Sequence, residues 1–315
     1  MPSIEPGDSG ARETSVCAVL VTHQPDPQTL AAALGALAPQ VGALVLVDDA
    51  TGDPRFRDFC AGYRDLQVIP LPENRGLAHA LNAGIERARS IAGITHVLLL
   101  DQDSVPENGM VCALKSALDR LGRREKVAAA GPRFRDPRER RDAPFVRIRF
   151  PFNRKLHCTE ACPEIRCDFL ITSGSLIPLA VLDETGGMDE TLFIDNVDMD
   201  WCFRVRAAGY ALYGVCAARM RHSLGASRRR LPGLPRGIVV HPPRRLYYMM
   251  RNRLLLYRRA HTPRAWIAQD LPRALVKLAL FSIVVGPRRE NLRHMIAGLR
   301  AGMAGRVEPP PGMSG

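Results

Sequence analysis

Four short apolar runs, at Val16–Val21, Val41–Val47, Gln67–Leu71 and Val97–Leu100, set the frame into which this chain can fold. Between them leucines recur at helical spacing: Leu30, Leu34 and Leu37 behind the start signals Asp26 and Pro27, a short stretch near 55–62, then Leu77, Leu81 and Ile85. A short run that is apolar throughout reads as a strand covered on both faces. Strand, helix, strand, helix with loops of a few residues predicts an α/β fold: a doubly wound, mostly parallel, Rossmann-like central sheet flanked by helices.

Ligands of such sheets bind just outside the carboxyl ends of the strands. The run Val97–Leu100 ends there in Asp101-Gln102-Asp103-Ser104. Alternate residues of an extended chain share a face, so Asp101 and Asp103 point the same way. Two carboxylates so placed repel and are costly to desolvate unless a cation lies between them. Hard oxygen ligands suit Mg²⁺ or Mn²⁺, which commonly hold substrate phosphates. The plainer reading is a solvated turn that ends a strand.

At 315 residues, 46% hydrophobic and 24% charged, the chain has the composition of a globular protein, either one large domain with an appendage or two domains. Its net charge of +12 comes mainly from arginine. The basic stretches lack interleaved aromatics, which favours an anionic membrane or a phosphorylated ligand over nucleic acid. The polar segment through Thr14 lacks the halves of a signal peptide, so a cytoplasmic location and mostly reduced cysteines are expected. The cluster of Cys158, Cys162 and Cys167, with His157, fits no common zinc spacing. No apolar run approaches the ~20 residues of a spanning helix. Leu278–Val285, with Leu271, Leu275 and basic flanks, reads as a helix lying on a membrane or packed on the domain. A G-x-G-x-x-G after the first strand, a P-loop and a G-x-S-x-G elbow are all missing, which argues against dinucleotide, P-loop and serine-hydrolase chemistry.

Beyond residue 130 the pattern changes. Val146, Ile148 and Phe150 alternate with Arg147 and Arg149, as in an amphipathic strand with a basic outer face. Asp168 to Ser175 reads as a strand entering a small-residue loop, either a tight turn or a place where an acceptor approaches closely. Val197, Trp201, Val205 and Ala208 define a helix stopped by Gly209. Taken alone, Asp195, Asp198 and Asp200 near its start are best explained as charges favoured by the helix dipole.

In order along the chain, VTHQPD, VDDAT, ENRGLAHALNAGIE, LLLDQDS, FLITSGSLI, GGMDETLFIDNVDMDWCFRVRAAGY, RHSLG and YYMMRNRLLL resemble the family 2 glycosyltransferases. LLLDQDS, DNVDMDW and MMRN are similar to the rhamnosyltransferase-like members, and 133–167 carries no such match. The resemblance implies a GT-A fold and inverting transfer of a sugar, L-rhamnose from dTDP-L-rhamnose, onto a lipid-linked or cell-surface polysaccharide acceptor. It implies Asp198 as general base, and Asp101, Asp103 and His222 on Mg²⁺ or Mn²⁺. Thr22, Asp48, Asn74, Gly76, Asn82, Asp101 and Gln102 are implied on the donor. Ser173, Gly174, Asp200, Trp201, Arg251 and Asn252 are expected toward the acceptor or a phosphate. His23 and Ala50 depart from the commoner residues at those places, and His79 receives no role.

The expected organisation is a disordered tail over 1–14 and a GT-A catalytic domain over 15–235, with a nucleotide-binding half (15–130) and an acceptor half (131–235). A basic C-terminal helical extension over 236–305 and a tail over 306–315 follow. Peripheral contact with anionic lipid on the inner face of the cell membrane is expected, and no nucleic acid. The rival readings are a UDP- or GDP-sugar donor, a nucleotidyltransferase, and a basic nucleic-acid-binding protein. VTHQPDP is not the glycine-rich basic loop of nucleotidyltransferases, and nucleic-acid binding leaves the aspartates without a task.

Overall fold

The computed structural model describes residues 12–139, 141–222, 227–231 and 234–307, with the backbone alone over 227–231 and 234–237. The tails expected at 1–14 and 306–315 lie outside the described residues except at their inner ends. There β1 (Glu13–Thr22) already begins, and the Arg306 N–H donates to the Ala301 carbonyl at 2.9 Å. Ser223 to Gly225 of RHSLG also lie outside them.

The first half follows the apolar rhythm. β1 leads into α1 (Pro27–Leu37), β2 (Val41–Asp48), α2 (Pro54–Ala61), β3 (Leu66–Pro70), α3 (Leu77–Arg89) and β4 (His96–Asp101). Asp26 caps α1, its carboxylate accepting the Thr29 N–H at 2.8 Å, with proline in the first turn. β3, β2, β1 and β4 form a parallel block. Its two faces bury different side chains: Cys17, Val19, Val45 and Val97 pack on α3, while Val16, Ala18, Leu20 and Leu98 pack on α1 and α4 (Met110–Gly122).

The rest of the sheet is mixed. The short β5 (Ser104–Pro106) and β6 (Val127–Arg135) flank α4 in the chain. β7 (Phe145–Arg147), β8 (Arg154–Leu156), β9 (Glu164–Cys167) and β10 (Ser175–Pro178) follow, then α5 (Leu179–Thr185), α6 (Val197–Ala207) and β11 (Ala211–His222). β10 lies antiparallel between β4 and β6, and β11 runs parallel to β6, giving the order β3-β2-β1-β4-β10-β6-β11-β5 with β9 also on β11. The two halves divided at residue 130 therefore share one sheet, since β6 crosses that position.

Two strand expectations are corrected. β7 ends at Arg147 because the Ile148 N–H turns to the Asp168 carboxylate at 2.6 Å and the Arg149 carbonyl accepts from Gln269 at 2.7 Å; Phe150 is 68% exposed. The strand read at Asp168 lies earlier, at Glu164–Cys167, and Thr172–Ser175 is a tight turn closed by Ser175 N–H to Thr172 carbonyl, with Gly174 at φ +86°. The cysteine cluster dissolves: Cys158 is disulfide-bonded to Cys216, Cys162 is exposed and Cys167 buried. For that pair the expectation of reduced thiols fails; the other six are free.

A hairpin of β12 (Ser227–Leu231) and β13 (Leu234–Val240) leads to α7 (Pro243–Tyr257), α8 (Arg264–Ile283) and α9 (Arg288–Met303). α9 lies directly on α7. A Cβ on Gly298 would sit 2.3 Å from the Tyr247 carbonyl oxygen, and one on Gly302 2.7 Å from that of Arg251. Only glycine admits backbone this close. α8 seals a small core with Phe281, joined by Val285 just beyond its end, while its opposite side exposes Leu271, Leu275, Val276 and Ile283. No helix among the described residues is long and apolar enough to cross a membrane.

Candidate active site

The register places the site. Thr22 pairs with Asp48 and Val21 with Asp101, so β1, β2 and β4 end level along one edge. Asp101 lies in the last position of β4, and His222 arrives from the far end of β11, opposite Ser104. A hydrogen-bonded chain holds them: the Asp101 N–H donates to Ser173 Oγ at 3.1 Å, Ser173 Oγ meets Ser104 Oγ at 2.5 Å, and Ser104 Oγ meets His222 Nδ1 at 2.7 Å. His222 Nδ1 is also 3.2 Å from the Asp103 carboxylate. One ligand atom each from Asp101, Asp103 and His222 lie within 4.8 Å of one another.

Charge in this corner is unbalanced. Burial pushes the Asp101 carboxyl up, with the His222 charge opposing and Asp103 adding to the rise. Burial alone would lower His222, but its hydrogen bond to the Asp103 carboxylate and the charges of Asp101, Asp103 and Asp136 outweigh it and raise it. Two carboxylates and an imidazole around one point fit a divalent ion. The carboxylates suit Mg²⁺ or Mn²⁺ alike, and the nitrogen ligand favours the softer transition metal.

Asp198 lies in the first turn of α6 and is pushed up to about 6, chiefly by burial, with Asp195 and Asp101 raising it further. Its backbone approach is unusual. Phe193, Asp195 and Asn196 all have positive φ, at 62°, 65° and 62°, where residues with side chains are rarely found. Arg245, at the start of α7, forms a two-pronged pair with Asp195 at 3.0 Å, and Asp101 and Asp198 also act on its charge. Sequence reasoning missed Arg245, Ser104 and the load on Asp195. An arginine among many on a basic stretch gives no signal of a buried carboxylate partner.

On the donor side the strand ends converge as expected. Thr22 is buried, its hydroxyl toward the Val47 carbonyl at 3.4 Å, and the Asp48 carboxylate accepts the Thr51 N–H at 3.1 Å and the Thr51 hydroxyl. Gln102 Oε1 accepts the His23 N–H at 2.8 Å. Asn74 Oδ1 accepts the Gly76 N–H at 3.1 Å, and a Cβ on Gly76 (φ +88°) would sit 2.6 Å from the Phe193 ring. Both ends of the Asn82 amide bond the Met188 backbone, at 2.9 and 2.8 Å, and its nitrogen also donates to the Glu190 carboxylate at 2.9 Å. Asn82 thus staples α3 to the loop that follows α5.

The expected acceptor-side residues separate. Ser173 touches Asp101, and Gly174 belongs to the tight turn beside it. Asp200, 1% exposed, is held by Arg259 and by His261 at 2.7 Å, because a buried carboxylate requires partners. Trp201 is in the core. Arg251 and Asn252, both 0% exposed, bond backbone carbonyls and cannot reach a phosphate.

A mixed α/β sheet with acids and a histidine at its carboxyl edge, and a half-buried carboxylate on the neighbouring helix α6, defines the class: this is a GT-A fold. Two solved structures share that fold at 13% identity. GalNAc-T7, solved with UDP, GalNAc and Mn²⁺, matches at a TM-score of 0.57 over 92% of this chain and 56% of its own. Residues 1–349 of TarS from S. aureus, in complex with UDP-GlcNAc, match at 0.53 over 93% of this chain and 92% of that one. The chain thus spans little more than half of GalNAc-T7, and 49% of the longer TarS structure. Residues 17–170 match the family described as glycosyl transferase family 2. The dTDP-rhamnosyl transferase RfbF of Shigella flexneri is 29% identical over 283 residues, 90% of this chain and 92% of that protein. The chain carries a family 2 glycosyltransferase domain over residues 17–170 and is rhamnosyltransferase-like over nine-tenths of its length. This sets aside the nucleotidyltransferase and nucleic-acid readings.

Proposed function

We propose that this chain is an inverting, divalent-metal-dependent glycosyltransferase that moves L-rhamnose from dTDP-L-rhamnose onto a lipid-linked or cell-surface polysaccharide acceptor. The observation that carries it is a three-ligand corner at the sheet edge (Asp101, Asp103, His222) and, on helix α6 within electrostatic reach of Asp101, the half-buried Asp198. The relationship to RfbF supplies the donor. Asp101, Asp103 and His222 would hold a divalent ion, which would supply charge stabilisation to the departing diphosphate.

The protein's own groups do the rest. Asp198 takes the proton of the acceptor hydroxyl as that oxygen bonds the anomeric carbon from the face opposite the breaking bond to the diphosphate. A positioned base of this kind contributes about 10²–10⁴-fold. Its raised value near 6 leaves it ionised at neutral pH yet a better base than an ordinary carboxylate. Thr22, Asp48, Asn74, Gly76 and Gln102 line the strand ends where the nucleotide belongs. We assign catalysis to residues 15–235, with 236–305 as a helical extension. The exposed apolar side of α8, bordered by Arg273, Arg288 and Arg289, is the face for an anionic membrane on its cytoplasmic side.

The test is calorimetric titration with dTDP-rhamnose, UDP-GlcNAc and GDP-mannose, each with and without Mn²⁺. Metal-dependent binding of dTDP-rhamnose alone is the expected result. Preference for a UDP- or GDP-sugar discards rhamnose and keeps the site.

A further inference from the structure

Helix α7 grips the segment that delivers Asp198. Asn252 Nδ2 lies 2.8 Å from the Leu192 carbonyl, 2.7 Å from that of Ile194 and 2.9 Å from that of Asp195, so two protons are shared among three acceptors. Arg251 donates to the carbonyls of Thr191 at 2.7 Å and Leu192 at 3.1 Å, and orients Asn252 through a 2.9 Å bond to its Oδ1. Tyr248 stacks on Phe193 with ring centroids 4.7 Å apart. Arg245 holds the Asp195 side chain. Residues 245, 248 and 252 are spaced i, i+3, i+7 and share one face of the helix. That face is thus devoted to residues 192–195, in which Phe193 and Asp195 have positive φ, while Arg251 extends the grip to Thr191.

A strained positive φ costs about 1–3 kcal/mol at a residue that is not glycine, and three such residues lie within Phe193–Asn196: Phe193 at the centre of a γ-turn (φ 62°, ψ −68°), Asp195, and Asn196 in the left-handed region. The carbonyls that this geometry turns away from regular structure need donors, since an unpaired buried carbonyl is costly. From wholly buried positions, Asn252 serves the Ile194 and Asp195 carbonyls, and with Arg251 it joins the Ile194 N–H on that of Leu192. Asp198 lies three residues beyond the gripped segment, in the first turn of α6, so any slack in 191–196 displaces its carboxylate directly.

We propose that Asn252, seconded by Arg251, is a positioning residue for catalysis: it holds segment 192–195 in its positive-φ course and thereby sets the place of the base Asp198. The proposal rests on Asp198 being that base. It gives the C-terminal helices a part in the reaction itself.

The test compares Asn252→Ala, Asn252→Ser and Asp198→Asn in the full chain. The donor is whichever of dTDP-rhamnose, UDP-GlcNAc and GDP-mannose the wild-type protein turns over, with water as acceptor and nucleoside diphosphate release as readout. Asn252→Ala is expected to lower kcat about 10- to 100-fold, as a 1 Å misplacement does. Donor KM and the calorimetric affinity for the nucleoside diphosphate stay within about 2-fold of wild type. The acid limb of the pH profile moves down, because Asp195 and Asp101, the carboxylates acting on Asp198, and the facing Arg245 no longer bear on it in the same arrangement. Asn252→Ser, which keeps one donor and a safer fold, falls between. An unchanged kcat and pH limb overturn the proposal, as does an equal fall in kcat and donor affinity. Retained turnover in Asp198→Asn overturns the assignment of the base, whatever the Asn252 variants do.

Discussion

At the scale of single residues, Asp198 combines a chemical task with a cost to the fold. Its carboxyl is raised from the ordinary 3.8 to about 6, so folding favours the protonated form. That contribution is present at low pH and is lost as pH rises through about 6. Asparagine imitates the protonated state. In protein free of metal and donor, Asp198→Asn should therefore be more stable than wild type at pH 8, by up to about 3 kcal/mol, and the gap should close by pH 4. Paired urea denaturation curves at the two pH values check this. The same substitution should reduce turnover by about 10²–10⁴-fold while nucleotide binding persists. Wild-type turnover should climb with pH through about 6, and a profile flat from pH 5 to 8 would exclude Asp198 as the titrating base. In the metal corner, His222→Ala should weaken metal-dependent nucleotide binding and leave metal-free binding unchanged, read by titration with and without Mn²⁺.

At the scale of elements, legibility followed how local the determinants were. β1 through β4 were readable because each run and cap is settled by its neighbours, as Asp26 shows for α1. β7 was overextended because its end is set by Asp168 and Gln269, 20 and 120 residues away. The DQD corner was legible; the roles of Arg251 and Asn252 were not. In sequence, YYMMRNRLLL looks like a solvated basic helix, and only the positive-φ turn at 193–196 reveals which carbonyls those side chains satisfy. Trp201 and Asp200 fail similarly, since helical spacing alone does not say which face meets the core. The α7–α9 contact makes its own prediction. Gly298→Val would force a side chain into the Tyr247 carbonyl and should separate the two helices. The expected outcome is a fall in thermal midpoint together with a loss of turnover, because α7 carries Asn252.

At the scale of the whole molecule, the net charge of +12 and the bare apolar side of α8 act together. Leu275, 67% exposed, lies amid residues that a water-facing helix would replace with polar ones. Co-sedimentation with anionic vesicles should occur at low salt and weaken as salt rises, while Leu275→Glu should abolish it and leave nucleotide binding intact. Binding that ignores both salt and this substitution would exclude α8 as the docking face.

Gly76 and Phe193 touch across the site, the first in the loop leading to α3, the second ahead of the base. The Ala78 N–H also reaches the Phe193 carbonyl at 3.3 Å. Exchanging modules with a relative to alter the sugar donor would therefore split a mated surface if the junction fell at residue 130. A chimera should inherit 76–78 and 191–196 from the same parent, whatever the provenance of the chain between them.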